Sequence, residues 1–382
     1  MNIQLLNKIA AVGLNQLDDS YNVGENIENP DGIMVRSAVM HEMEFAPSLK
    51  AIARAGAGVN NIPIERCSEN GIVVFNTPGA NANGVKELAI CALLLAARNI
   101  VGGIAWANTL TEDVAKQVEK GKSKFGGTEL MGKTLGVIGL GAIGGKIANT
   151  AIHLGMNVIG CDPFLSIEGA WNLNHRVSRA ATYDEVFEKS DYITLHVPAT
   201  KDTKNMICAE SIAKMKNGVK IINLSRADLV NAAELKAALA EGKVSAYVTD
   251  FPTEEVINTP GVVAIPHLGA STEESEDNCA VMAANELDDY LKNGNIKNSV
   301  NYPNVEMPRS GAARICVLHQ NVPSILTKIT AAVADEGLNI ENMTNKSKGE
   351  NAYTVLDVSS TPSEDAIARI SAVEGINRVR VI

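Results

Sequence analysis

None of the six cysteines, at positions 67, 91, 161, 208, 279 and 316, stands two residues from another, and no histidine sits at metal-ligating spacing from a second ligand. Neither a disulfide framework nor a metal site is expected. In a chain this long the thiols read as reduced and mostly buried, as in a cytoplasmic protein. Long apolar runs are also missing. The longest, LAICALLLAA at 88–97, is roughly half of what a bilayer requires. The opening MNIQLLNKIAAVG has no basic stretch ahead of its apolar residues and no convincing cleavage site, so no leader is expected. Positive charge is in deficit, with 34 Lys and Arg against 44 Asp and Glu and a net charge of −10. That argues against a nucleic-acid partner, because a phosphate backbone needs a basic face. A small anionic substrate stays open, since a few local Arg or Lys suffice for it.

What remains is globular: 46% hydrophobic and 20% charged residues over 382 positions, enough for two or three domains. No fixed-period repeat appears. GIMVRSAV (32–39), LKAIARAG (49–56) and GIVVFNTPG (71–79) read as buried strands, with HEMEFAPS and NIPIERCSENG as connecting helices and turns. A long helix is expected over 81–100, capped by Asn81 or Asn83. From about 100 to 285, six short β-branched runs alternate with helix-length segments, which implies a parallel sheet covered on both faces. Residues 271–294 read as a long helix with a Ser/Thr cap and a Gly stop. NYPNVEMPRSGAA (301–313) reads as a linker. Beyond it, the order strand, helix, two strands, helix, strand predicts a ferredoxin-like domain.

Within GVIGLGAIGGKI (136–147), Gly139, Gly141 and Gly144 have the spacing of a nucleotide turn. A Gly-rich turn alone is weak evidence. Here it follows a predicted strand and opens a predicted helix, and Asp162 ends the next strand. Two glycines would let the backbone reach a pyrophosphate, the third would let helix and strand pack closely, and the helix N-terminus favours the phosphate charge. Asp162 would take the adenosine ribose hydroxyls and repel a 2′-phosphate, so NAD is expected over NADP.

Ligands of open α/β sheets bind beyond the carboxyl ends of the strands. Those positions hold His196, Arg226, Asp250, Glu254 and His267. Singly, each has a bland explanation as a structural or solvated residue. Together they make a hydride-transfer apparatus. Arg226 can fork onto a carboxylate, His267 can exchange a hydroxyl proton, and Glu254 can fix its tautomer and favour the imidazolium.

In order and spacing, GVIGLGAIG, HVPATKDT, INLSRADLV, DFPTEE and IPHLGAST resemble the D-isomer-specific 2-hydroxyacid dehydrogenases over roughly residues 30 to 300. The resemblance implies catalytic roles for Arg226, Glu254 and His267. It implies cofactor contacts at Thr77, Ala142, Ile143, Asp162, Pro198, Thr203, Leu224, Ser225, Thr249 and Gly269, to which the strand-end reading adds Asp250. Two departures stand out. Ser225-Arg226-Ala227-Asp228 replaces the usual A-R-G-G. Thr249-Asp250-Phe251-Pro252-Thr253-Glu254-Glu255 shifts the Asp of the usual D-V-F-x-x-E-P by one and puts Glu255 in place of the proline. Alignment on Phe251 selects Glu254, with Glu255 as the lesser candidate.

The resemblance further implies two doubly wound parallel-sheet domains: a substrate domain over 1–98 and 288–302, and an NAD-binding Rossmann domain over 99–287. A linker at 303–313 would lead to a sheet domain at 314–382 that resembles an ACT domain, a small-amino-acid sensor. The loops bearing Arg36, Ser37, Arg54, Gly58, Asn81 and Lys122 resemble the branch acting on 3-phosphoglycerate. That implies its oxidation to 3-phosphohydroxypyruvate in the first step of serine synthesis. The sensor resemblance places a serine effector at His319, Asn321 and Asn339, although Ser324 stands where Gly is usual. A homodimer or homotetramer is expected, with no nucleic-acid or membrane partner. The rival readings are a hydroxypyruvate or glyoxylate reductase and a non-catalytic NAD-sensing protein.

Overall fold

Burial at nearly every position, rather than alternation, marks the short apolar runs of the first 80 residues, as a sheet covered on both faces requires. In the computed structural model, which describes all 382 residues, they form a parallel sheet of β1 (Asn2–Leu5), β2 (Asn22–Gly24), β3 (Gly32–Val35), β4 (Ala51–Arg54) and β5 (Val73–Phe75), in the order β2-β1-β3-β4-β5. β1 escaped the sequence reading because NIQL is short and half polar. HEMEFAPS forms turns rather than a helix, and only Ile64–Glu69 of the second connector is helical.

The second sheet comprises β6 (Thr134–Ile138), β7 (Asn157–Cys161), β8 (Val177–Arg179), β9 (Tyr192–Leu195), β10 (Val219–Asn223), β11 (Val244–Thr249) and β12 (Val262–Ala264). All are parallel, in the order β12-β11-β10-β9-β6-β7-β8. The winding direction reverses beside β6, which places the topological switch point at the glycine turn.

The third sheet is antiparallel: β13 (Ala313–Gln320), β14 (Ile340–Lys348), β15 (Asn351–Val358) and β16 (Ile376–Val381), in the order β14-β15-β13-β16. The expected ferredoxin-like order holds. One face, with Ile315, Val317, Leu356 and Val358, packs on the helices Ile325–Ala334 and Glu364–Ser371. The alternate residues Cys316, Leu318, Tyr353 and Val355 enter one core with Phe75, Tyr290 and Tyr302.

That shared core corrects the expected domain bounds. The chain divides into two compact units, Met1–Ala80 with Glu276–Ile382, and Asn81–Ser275. The helix Ala82–Ala97 belongs with the second sheet, because its buried Ala89, Ala92 and Leu93 pack with Leu135, Ile147 and Val248. From Glu276 onward the helix Glu273–Asn293 belongs to the first unit, burying Ala280, Ala283, Ala284 and Leu287 there. The C-terminal sheet is no separate body. Asn377 Nδ2 donates to the Ser68 carbonyl at 2.6 Å, Tyr353 Oη donates to the Gly294 carbonyl at 2.6 Å, and Arg378 donates to the Asn70 carbonyl at 3.0 Å. The first part of the expected linker at 303–313 is packed, with Pro303, Val305 and Met307 buried and Ile296 bridged to Val305, while residues 308–312 are exposed. Its prolines misled, because buried apolar residues alternate with them.

Candidate active site

From β6 the chain turns through Gly139-Leu140-Gly141 into the helix Ala142–His153. Gly139 has φ +87°, and a Cβ there would run into the His196 carbonyl. A Cβ on Gly144 would collide with the Gly139 carbonyl, so this glycine sets how closely the helix rides on the turn. Around Gly141 the opposite holds, because nothing lies within 4 Å of where its Cβ would stand. An open space at a helix N-terminus, with Ala142 and Ile143 beside it, fits a pyrophosphate. Asp162 follows β7 and is pinned by two backbone N–H donors, Leu140 to Oδ2 at 2.8 Å and Phe164 to Oδ1 at 2.9 Å. Each oxygen keeps a lone pair for a ribose hydroxyl. Asp162 lines a cavity of about 600 Å³ with Leu140, Pro163, His175 and Val177, a size that suits adenosine.

The other predicted cofactor positions in this unit follow the strand ends. Thr203 Oγ1 donates to the Pro198 carbonyl at 2.6 Å and accepts from Thr200 N at 2.8 Å, which staples that loop. Leu224 and Thr249 are buried, Ser225 Oγ donates to the Leu195 carbonyl at 2.6 Å, and Gly269 approaches the Asp250 carboxylate. Thr77 lies in the first unit, fully buried just after β5.

Arg226 leaves β10 in extended conformation, exposed, with Nη1 donating to the Ser225 carbonyl at 2.6 Å. Its guanidinium stands 5.3 Å from the Phe251 ring centroid, and the His267 ring packs on the same phenylalanine at 4.3 Å. Phe251 thus gathers the arginine and the histidine on one aromatic surface. His267 is exposed and its ring nitrogens are unengaged, which leaves them open to a substrate. His196 differs. Its Nε2 bonds Thr194 Oγ1 at 2.7 Å, and burial pulls its pKa down to about 3, so it stays neutral and structural.

Glu254 is exposed and makes no hydrogen bond to His267, and Glu255 lines a cavity with Asp228, Lys204 and Phe251. Asp250, 1% exposed with Oδ1 unpartnered, is a carboxylate on which the charges of both His267 and Arg226 act. Burial pushes its pKa up, while the charges of His267 and Arg226 and the Gly269 N–H pull the other way. Sequence reasoning missed Asn223, fully buried, whose Nδ2 donates to the Arg226 carbonyl at 2.8 Å and whose Oδ1 accepts from Ser225 N at 3.2 Å. A polar residue at the end of an apolar strand was its only signal.

In the first unit, Arg36 pairs with Glu276 at 2.6 Å, and Arg54 Nε donates to the Arg36 carbonyl at 3.1 Å. The backbone N–H groups of Arg36, Ser37 and Ala38 converge on Asn7 Oδ1 at 3.0, 2.9 and 2.9 Å. Nothing in the sequence marked Asn7. Gly58 lies half-buried in the loop after β4, and Asn81, in the second unit, takes the cap position of Ala82–Ala97 without a side-chain bond. Lys122 is exposed and paired with Glu119 at 2.5 Å.

In the C-terminal sheet His319 is 1% exposed and both ring nitrogens are engaged, by the Gln320 carbonyl at 2.7 Å and Thr354 Oγ1 at 2.8 Å. Asn321 follows the end of β13, whereas Asn339 bonds Ser359 beside its start. One chain does not bring them together. Ser324 has φ +65°, the left-handed region where glycine is the easy choice.

Residues 91–269 match the model of the D-isomer-specific 2-hydroxyacid dehydrogenase NAD-binding domain. A D-3-phosphoglycerate dehydrogenase of Escherichia coli K12 is 33% identical over 350 residues, covering 88% of this chain and 82% of the relative. The chain belongs to the D-isomer-specific 2-hydroxyacid dehydrogenases. The cofactor of this dehydrogenase is NAD, which the turn, the open space at Gly141 and Asp162 all fit. An enzyme of the same name from Methanocaldococcus jannaschii is 36% identical over 324 residues, covering 82% of this chain and 59% of its own. The Archaeoglobus fulgidus enzyme is 37% identical over 289 residues and is covered to 52%. The dehydrogenase chain therefore spans little more than half the length of these two relatives. Among solved structures, the NAD+-bound 3-phosphoglycerate dehydrogenase of Entamoeba histolytica superposes with a TM-score of 0.62 at 30% identity, over 79% of this chain and 98% of that one.

Proposed function

We propose that this dehydrogenase oxidises 3-phosphoglycerate to 3-phosphohydroxypyruvate with NAD, as the first step of serine synthesis. The observation that carries the reading is the extent of the likeness. The E. coli relative matches 88% of the chain, which must reach into the C-terminal sheet. The glyoxylate reductases among the solved structures are 22–24% identical and share the fold alone.

Bound NAD+ supplies the hydride acceptor. His267, its ring nitrogens unengaged, would take the C2 hydroxyl proton of the substrate. Arg226, released from the Ser225 carbonyl, forks onto the carboxylate. Glu254 takes up its contact with the imidazolium as the 251–256 loop closes, since catalytic hydrogen bonds often tighten only in the substrate complex. Arg36 and Arg54 take the phosphate. The direct test is Arg226→Lys: a point charge cannot make the bidentate contact, so turnover falls steeply while NADH binding persists. Near-normal turnover in that variant removes Arg226 from the mechanism.

The assembly we propose is a cytoplasmic homo-oligomer. It is supported by the helix Ile100–Ala107, which buries none of its residues and exposes Ile100, Val101 and Ile104. A serine effector site at Asn321 and Asn339 would require a second copy, because the two lie at opposite ends of β13.

A further inference from the structure

In the first unit, a cavity of about 610 Å³ runs along the helix Glu273–Asn293 and the segment that follows it. Glu286 forms part of its wall. This residue is 8% exposed, and one carboxylate oxygen is satisfied: Oε1 accepts from Asn298 Nδ2 at 2.6 Å. Oε2 is buried with no partner at all. A buried acceptor left unpaired is costly, and the cavity is where a donor can arrive.

The rest of the wall narrows the choice of ligand. Val281 and Met282 give it an apolar stretch, and the side chains of Asn278 and Asn285 have no protein partners. Asp289 is already spent, accepting from Asn293 at 2.8 Å and Asn295 at 3.0 Å, so this is not a cluster of free acids. Lys297 lies exposed on the rim, pairs with no carboxylate, and is near enough to Glu286 to act on its charge. A bare amine would be repelled by Lys297, and a bare acid would bring no ammonium donor to Glu286 Oε2. A volume in the usual range for ligand pockets also leaves room for a side chain.

We propose that this cavity binds a small zwitterion with an apolar side chain. Its ammonium donates to Glu286 Oε2, its carboxylate meets Lys297, and its side chain lies on Val281 and Met282. Burial supports the assignment, pushing the Glu286 pKa up to about 8. At neutral pH the carboxyl is mostly protonated, and an arriving ammonium displaces that proton to solvent. The occupant would also touch Ala80, whose N–H donates to the Thr77 carbonyl at 3.4 Å. Occupancy therefore reaches the turn that bears Thr77.

The test is isothermal titration of the full chain near pH 7 with L-leucine, L-methionine and L-phenylalanine, beside isopentylamine and 4-methylpentanoate. At least one amino acid should bind with a proton release that scales with the buffer's ionisation enthalpy. The amine and the acid should bind at least about tenfold more weakly. Glu286→Gln, which keeps the shape, should lose that proton release and about tenfold in affinity while NADH affinity stays unchanged. Lys297→Met should erase the preference for leucine over isopentylamine. No binding by any of the three amino acids, or binding unaltered in Glu286→Gln, overturns the proposal. Either result leaves the proposed reaction untouched.

Discussion

Arg36 and Glu276, 240 residues apart in the chain, form an ion pair of 2.6 Å between the end of β3 and the helix Glu273–Asn293. Both side chains are 42% exposed, so the pair adds little to stability. Its value is orientation, since it fixes the Arg36 guanidinium, while Arg54 Nε bonds the Arg36 carbonyl. Glu276→Gln should raise KM for the phosphorylated acid several-fold, with kcat and the KM for hydroxypyruvate unchanged. Steady-state kinetics on both substrates checks this, and equal effects on the two would give the pair no part in reading the phosphate.

His267 depends on its imidazole rather than on its bulk, since Phe251 already provides the packing surface. His267→Asn should lower kcat about 10²- to 10⁴-fold, the usual worth of a general acid–base group. NADH binding, followed by fluorescence, should not move.

Asp162 sits where a 2′-phosphate would bring two negative charges together. Asp162→Ser should cut the preference for NAD over NADP by at least about tenfold in kcat/KM. A ratio that stays put would move cofactor discrimination elsewhere in the adenosine cavity.

How much of this was legible in the sequence follows the range of each interaction. The glycine turn and Asp162 were readable because their geometry is set within about 25 residues, by a strand, a turn and a helix. Arg226 and His267 could be nominated because ligands of open parallel sheets bind beyond the strand ends, and both do lie on Phe251. Asn7 and Asn223 were invisible, because an asparagine that organises a distant loop looks like any other asparagine. The docking of the C-terminal sheet was invisible for a related reason. Alternation along β13 and β15 shows that the strands have two faces, but not that Tyr353 and Cys316 would meet Tyr290 rather than water. The linker reading missed the burial of Val305 and Met307 on the same point.

At the docked face lies a buried ion pair whose arginine also donates to the Asn293 carbonyl at 2.8 Å. Arg314 and Asp357 are fully buried and bidentate, with Nε to Oδ1 at 2.6 Å and Nη2 to Oδ2 at 2.9 Å. Asp357→Ala would strand a buried guanidinium and should cost about 3–5 kcal/mol, read from urea unfolding. An isosteric apolar exchange of both residues should cost far less.

Glu286 gives stability a pH dependence of its own. With its folded pKa near 8 and an ordinary value of 4.5, the unfolded chain loses this proton first. Its contribution therefore erodes as pH rises from about 4.5 to 8 and then levels off, by at most a few kcal/mol. Lys297 on the rim moderates the loss. Glu286→Gln should flatten the unfolding free energy across that window and gain stability at pH 8.

The central claim is the reaction, and one assay bears on it most directly: NADH oxidation with 3-phosphohydroxypyruvate beside hydroxypyruvate, glyoxylate and pyruvate, each with and without serine. A strong preference for the phosphorylated acid is the expected result. Equal or better turnover of hydroxypyruvate would contradict the assigned substrate, and would return Arg36 and Arg54 to a structural role.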